Sequence, residues 1–455
     1  MSRRLFGTDG VRGVANVDLT PELAFRIGRA GAWILSRDLD PNRPFVVARD
    51  TRMSGTMLEA AVVAGIAAAG RDAVTVGVAP TPAVPRIVDS IVAAGGVMIS
   101  ASHNPVEYNG IKFFDAGGFK LDDAREREIE AVLDDESVVP RATHDRVGSI
   151  RSSVGLVDRY FAALVEAGAD LGGMTVVVDA AYGAAYAVGP RIFEKLGAEV
   201  VAMHAQDDGS RINVACGSTD LSALAARVRE LAAGGRRQVV GVAFDGDADR
   251  ALFVDETGAS LTGDHAMFAL AREKKRTHAL AGDTLVSTVM SNVGLERALA
   301  AEGIRMLRTA VGDRYVLEAM RAGGYGLGGE QSGHIIDFTR NTTGDGPMTA
   351  VALLSLAARA GASLRELTTP VVVFPQILVN VAGASQAVLE DDAVRSTIGR
   401  AEEALGRNGR VLVRASGTEP LVRVMVEGED AADIAQLAEE IAAAVRAGSS
   451  AGRAL

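Results

Sequence analysis

Short β-branched runs alternate with alanine-rich helical stretches along most of this 455-residue chain, a pattern that admits little besides layered, mostly parallel α/β folds. Residues 45–48, 73–78 and 96–100 read as strands, with a helix over 54–69. A second set has strands at 175–179, 199–202 and 239–244 and a helix over 184–196. A third has strands at 284–287 and 304–307, a helix near 294–301, and another from Asp313. In each set a helix ends at a glycine and a strand follows at once: Gly70, Gly197 and Gly303. Glycine accepts the left-handed conformation common at a helix C-terminus. Three such junctions in matching settings point to three related domains. The last quarter differs, with strands at 374–381, 410–413 and 421–427 around one or two helices, an α+β pattern. The expected architecture is three similar α/β domains with mixed, mostly parallel sheets (1–152, 153–255 and 256–368) and a C-terminal α+β domain (369–455) around a central cleft. Residues 367–375, flanked by prolines, are the candidate hinge, and the Ala/Gly/Ser tail from Gly448 is expected to be disordered.

Composition narrows the function classes. The chain is 48% hydrophobic and 23% charged, an ordinary globular balance, and its 4% aromatics mean cores of Ala, Val, Leu and Ile. A net charge of −11 argues against a nucleic-acid partner. No run reaches the roughly 18 apolar residues of a membrane span, and residues 1–13 lack the apolar stretch of a signal peptide. The single cysteine, Cys216, makes no internal disulfide, so a reducing cytoplasm is the expected compartment. The expected partners are a small molecule and, at most, a second copy of the chain as a homodimer.

Four polar islands interrupt the apolar chain, one in each quarter. Ser102, before Asn104-Pro105, puts a hydroxyl at the C-terminal end of a strand, where open α/β sheets bind ligands; His103 beside it is either a base or an orienting group. Asp245, Asp247 and Asp249 are spaced by two, so an extended backbone would point all three carboxylates the same way. Three close like charges repel unless a cation sits among them, and hard oxygen ligands suit Mg²⁺. An EF-hand calcium loop is the competing reading. It fails on Arg250 where the glycine belongs and on 251–254, which continues as a strand. Arg250 is a candidate bidentate phosphate donor. Glu330 and Ser332 in a glycine-rich stretch are candidates for reading sugar hydroxyls. Arg414, Ser416, Gly417 and Thr418 make a guanidinium, two hydroxyls and a flexible turn suited to a phosphate dianion. Singly, the first, third and fourth islands also read as plain turns.

Together and in order, the four islands resemble the α-D-phosphohexomutase superfamily over essentially the whole chain. The resemblance implies that Ser102 is a phosphoserine, that Asp245, Asp247 and Asp249 hold one Mg²⁺ with it, that Glu330 and Ser332 read the sugar, and that Arg414, Ser416, Gly417 and Thr418 bind phosphate. Lys112, His334 and Arg12, with His103, lie at positions suited to the general acid/base. The opening Phe6-Gly7-Thr8-Asp9-Gly10-Val11-Arg12-Gly13, with Gln331, is most similar to the branch acting on glucosamine phosphates. That branch would interconvert the 6- and 1-phosphates through glucosamine 1,6-bisphosphate, for amino-sugar and cell-wall precursor synthesis. A mobile last domain would open for exchange and close on the phosphate. The competing readings are the same chemistry on glucose or mannose phosphates, a Mg²⁺-dependent sugar phosphatase, and a catalytically silent sugar-phosphate sensor.

Overall fold

The computed structural model describes residues 5–7, 9–236, 238–415 and 421–451. The fold class is the expected one: three mixed α/β sheets and a fourth, antiparallel sheet with helices. By internal packing the chain forms two compact units, residues 1–288 with 306–369, and residues 289–305 with 370–455.

The first unit holds three sheets. The first has six strands in the order Val11–Val14, Tyr108–Phe114, Gly95–Ile99, Phe45–Arg49, Ala73–Val78, Ile150–Ser152. Phe45–Arg49 pairs in parallel with both Gly95–Ile99 and Ala73–Val78, and Tyr108–Phe114 returns antiparallel beside Gly95–Ile99. Phe45–Val46–Val47–Ala48 and all of Gly95–Ile99 are buried, as strands covered on both faces must be. The helices Pro21–Ser36 and Gly55–Ala68 pack backbone to backbone on this sheet's flank. A Cβ on Gly65 would lie 2.2 Å from the Phe25 carbonyl oxygen, and one on Gly28 2.5 Å from that of Val62.

The second sheet runs Ser260–Leu261, Ala251–Val254, Val239–Phe244, Thr175–Asp179, Glu199–Met203. Thr175–Asp179 is parallel to both Val239–Phe244 and Glu199–Met203. The third runs Arg305–Thr309, Thr284–Thr288, Leu327–Gly329, Ile335–Asp337. The junction glycines do adopt the left-handed conformation, with φ of 81° at Gly70, 91° at Gly197 and 68° at Gly303.

In the second unit Leu421–Gly428 is the central strand between Gln376–Ala382 and Gly409–Ala415. The helix Val293–Ala301, which precedes the strand Arg305–Thr309 in sequence, belongs to this unit. Its first N–H donates to the buried Glu427 carboxylate at 2.9 Å, which also takes Arg410 at 2.7 Å. Asn292 pairs with both the N–H and the carbonyl of Phe374 at 3.0 Å. The chain passes between the units at Thr369–Pro370, inside the candidate hinge.

Two expectations are corrected. The helix expected from residue 184 begins at Val188, because Ala181 and Tyr182 take left-handed backbone (φ 53° and 51°) and turns occupy the stretch before it. The tail expected to be disordered is helical as far as Ala451. Alanine favours helix, and Gly448 sits where a Cβ would meet Val388 at 2.7 Å, so the helix end is packed rather than loose.

The helix contact at Gly65 yields a test. Gly65→Ala forces two backbones apart and is expected to cost about 2 kcal/mol, lowering the first thermal unfolding transition by several degrees; an unchanged melting curve contradicts the packing described.

Candidate active site

Three loops, each leaving the C-terminal end of a strand in one of the three sheets, carry the site. The first follows Gly95–Ile99 and presents Ser102, buried and at φ 53°, a left-handed conformation that a non-glycine residue holds only when its surroundings enforce it. Those surroundings are visible. Ser102 N–H donates to Ser100 Oγ at 2.9 Å, and Ser100 Oγ donates to Asp50 Oδ2 at 2.6 Å. Arg52, with no exposed side-chain surface, pairs with Asp50 at 3.0 Å. Its guanidinium also donates to the carbonyls of Ser102 (2.9 Å), Asn104 (2.8 Å), Pro105 (2.6 Å) and Tyr108 (3.0 Å). From the second sheet's side, Asn213 Nδ2 donates to the Ser102 and Asn104 carbonyls at 2.9 and 3.2 Å. The sequence reading missed Asp50, Arg52, Ser100 and Asn213. Asp50 and Arg52 did carry a signal, since charged residues directly follow a fully apolar strand.

The second loop joins Val239–Phe244 to the antiparallel Ala251–Val254 and carries Asp245, Asp247 and Asp249, exposed 0%, 0% and 3%. One carboxylate oxygen from each lies within 4.8 Å of the others. They converge by a turn, with Ala248 at φ 58°, and not by the extended backbone expected from their spacing. Ser102 Oγ donates to Asp245 Oδ2 at 2.6 Å. Lys112 Nζ lies 2.8 Å from Asp247 and from Asp9, and 3.6 Å from Asp249; Thr81 donates to Asp247 at 2.6 Å. Burial, then the charges of Asp249 and Asp247, hold Asp245 well above the ordinary carboxylate range. Burial also pushes Asp247 upward, but Lys112 overcomes it and the net direction is down. Lys112 is raised: its burial disfavours the charge, and Asp247 and Asp9 more than restore it. The two flanking carboxylates thus favour its ammonium form. Asp247 Oδ1 and Asp249 Oδ1 are buried without a hydrogen-bond partner among the described residues. An all-oxygen set with unmatched lone pairs fits a hard divalent cation.

The third loop joins Leu327–Gly329 to Ile335–Asp337 and carries Glu330, Ser332 and His334. Ser332 Oγ and both ring nitrogens of His334 are buried without hydrogen bonds to the described residues. His334 Nε2 stands 3.6 Å from Asp313 and 3.9 Å from Asp249. Glu330 accepts from Gly312 N–H at 3.2 Å and is pushed up by burial, against the pull of His334. A backbone bridge between Arg250 and His334 joins this loop to the aspartate loop. Arg250 Nε lies 3.9 Å from Asp245 and from Asp249 with no hydrogen bond of its own. Arg12 is ion-paired with Asp9 and donates to Asn104 Oδ1 at 3.3 Å. His103 Nδ1 is 3.2 Å from Ser102 Oγ, and burial, then Arg250 and Arg12, lower its imidazole to about 4. Lys120, also unforeseen, spans Asp9 and Asp313.

The structure thus brings Ser102, His103, Lys112, Asp245, Asp247, Asp249, Arg250 and His334 together, with Arg12 reaching the Ser102 loop and Glu330 beside the His334 turn. Arg414 lies in the other compact unit, half-buried on Gly409–Ala415 opposite Arg423. Ser416, Gly417 and Thr418 fall outside the described residues.

Comparison with known proteins assigns a class to this geometry. Models for the phosphoglucomutase/phosphomannomutase family match end to end: α/β/α domain I over residues 3–139, II over 158–258, III over 262–372, and the C-terminal domain over 377–444. A phosphoglucomutase/phosphomannomutase family protein of Burkholderia thailandensis superposes with a TM-score of 0.83 at 25% identity, covering 98% of each chain. Aspergillus fumigatus N-acetylphosphoglucosamine mutase, solved in complex with GlcNAc-6P and magnesium, shares the fold at a TM-score of 0.66 and 17% identity over 98% of this chain and 96% of its own. Fold and family models are those of a phosphohexomutase. Phosphoglucosamine mutase of Thermoanaerobacter sp. strain X514 is 48% identical over 444 residues, 96% of this chain and 98% of its own, and the chain belongs to the phosphoglucosamine mutase family. As such it is an intramolecular phosphotransferase of the isomerase class.

Arg52 is the test of how the Ser102 loop is held. Arg52→Lys keeps the charge but loses the fork that grips four carbonyls. Turnover is expected to fall on the order of 100-fold through misplacement of Ser102; steady-state kinetics within a factor of two of wild type would refute that role.

Proposed function

We propose that the chain interconverts glucosamine 6-phosphate and glucosamine 1-phosphate through a phosphate carried on Ser102 and a 1,6-bisphosphate intermediate, feeding amino-sugar and cell-wall precursor synthesis. One observation carries this reading. In and beside the loops that carry Ser102, the aspartates and His334, polar atoms have no hydrogen-bond partner among the described residues: Asp247 Oδ1, Asp249 Oδ1, Arg12 Nε, Arg250 Nε, Ser332 Oγ and both nitrogens of His334. Buried polar groups are normally satisfied, so this set supports a charged, hydroxyl-bearing ligand.

Ser102, Asp245, Asp247 and Asp249 would hold one Mg²⁺, which polarises a phosphoryl oxygen. Lys112 and Arg250, both cationic at the floor of the site, offset charge on the transferring group, where positioning and electrostatics dominate. Arg414, Ser416, Gly417 and Thr418 grip the sugar's existing phosphate, while Glu330 and Ser332 read its hydroxyls. The sugar hydroxyl attacks phosphorus and its proton passes to a nearby group, for which the unpartnered His334 is best placed. The P–O bond to Ser102 breaks as its Oγ takes up a proton from solvent by way of His103, and the bisphosphate turns end for end. In the return step Ser102 Oγ attacks the other phosphate and gives that proton back through His103 Nδ1, its neighbour at 3.2 Å, while the P–O bond to the sugar breaks and the sugar oxygen takes the proton held by His334.

The glucosamine assignment rests on Phe6–Gly13, Gln331 and the identity to relatives that bear the name phosphoglucosamine mutase. A separate anion-gripping loop favours a mutase over a phosphatase, because a mutase must hold two phosphates.

Ser102→Ala is expected to remove the phosphate adduct from the intact mass and nearly all turnover with the melting curve unchanged; substantial residual turnover ends the proposal. Ser332→Ala should raise KM for glucosamine 1-phosphate about tenfold, the loss of one good hydrogen bond. Comparison of kcat/KM on glucosamine, glucose and mannose 1-phosphates decides the sugar, and a preference for glucose overturns this choice.

A further inference from the structure

A second group of metal-ligating side chains stands in the second sheet and shares no residue with the aspartate loop: Asp179, His204 and Cys216. Asp179 ends the strand Thr175–Asp179, and His204 immediately follows the adjacent parallel strand Glu199–Met203. Cys216 precedes the turn Gly217–Thr219 and, like Asp179, is fully buried. One ligand atom of each lies within 4.8 Å of the others. Modest side-chain rotations would close that to roughly 3.5 Å, the donor–donor edge of a zinc tetrahedron.

A second observation points to a ligand. Asp179 Oδ1 accepts the Ala181 N–H at 2.9 Å, but Oδ2 has no aligned hydrogen bond. His204 Nδ1 stands 3.0 Å from that oxygen in an ion pair that falls short of an aligned hydrogen bond, and Asp179 raises the imidazole. A cation would take the place of the proton between oxygen and nitrogen, with the Cys216 sulfur as the third donor of the group. An oxygen, nitrogen and sulfur set selects a borderline-soft cation, in contrast to the all-oxygen set of the aspartate loop. The Tyr182 ring covers His204 at 5.1 Å between centroids, with the Arg211 guanidinium 4.3 Å above it.

We propose that Asp179, His204 and Cys216 bind one Zn²⁺-like cation, with water as fourth ligand. Binding forms a metal–thiolate bond and releases the Cys216 proton to solvent. His204 and Cys216 bracket the loop that contains Asn213, whose side-chain amide holds the carbonyls of Ser102 and Asn104. The cation would clip the base of that loop and so brace the nucleophile segment from behind.

The test uses the full-length protein dialysed against Co²⁺ as probe in saturating Mg²⁺. One Co²⁺ per chain with a thiolate-to-cobalt charge-transfer band is expected, retained in Asp245→Asn and weakened at least about tenfold in affinity in His204→Gln and Cys216→Ser. Amide exchange over residues 205–215 should slow on loading. A wild-type protein that shows no thiolate band overturns the proposal without recourse to any variant. So does a band of undiminished strength in Cys216→Ser, or exchange unaffected by the metal.

Discussion

Carboxylates do not gather in a protein interior without opposing charge, because like charges a few ångströms apart in low dielectric repel steeply. The rest of the site depends on how this chain meets that constraint. Asp245, Asp247 and Asp249 are removed from water with Ser102 against the first and the Lys112 ammonium against the second. Lys112 is shared with Asp9, Asp9 with Lys120, and Lys120 with Asp313. The result is a chain of alternating charge in which Lys112, Asp9 and Lys120 each meet opposite charge on both sides. It runs from the aspartate turn to Asp313, the first residue of the helix Asp313–Gly323, with His334 3.6 Å beyond. Oδ1 of Asp247 and of Asp249 is left without a hydrogen-bond partner among the described residues.

The three sheets solve one positioning problem in the same way. A buried strand ends, and the first polar residues after it fall at the edge where open α/β sheets present ligand sites. Each loop is then tied to a neighbouring sheet. Asn213 reaches the Ser102 loop, Arg250 bridges to His334, and Lys120 reaches Asp313. No single sheet can therefore set the geometry of the site, which exists only when the three are docked.

Much of this was legible in the sequence because it is local. The strands of the first three sheets show as apolar runs, the Gly70, Gly197 and Gly303 junctions show the helix-to-strand transitions, and Ser102 and the aspartates stand out where polarity breaks an apolar pattern. What was illegible is long-range. Arg52 is one arginine among many until the fold buries it, and Lys120 meets partners 111 and 193 positions away. The aspartates were correctly grouped for the wrong reason: a period of two suggested extended backbone, but the turn and left-handed Ala248 bring them together. Composition also misled at residues 448–451, where small residues that suggest a loose tail are what lets a helix end pack closely.

The helix Val293–Ala301 has a consequence for how such a chain can be cut or recombined. In sequence it sits inside the third α/β segment, yet its packing partners, Glu427 and the residues around Phe374, come from the last quarter. The last unit is therefore not a terminal module on a tether. A fragment starting at residue 370 would leave the buried Glu427 without its backbone donor, and one ending there would carry an orphaned helix. A graft of the last unit between relatives would have to carry both pieces together, so heredity is expected to have passed them on as an interlocked pair.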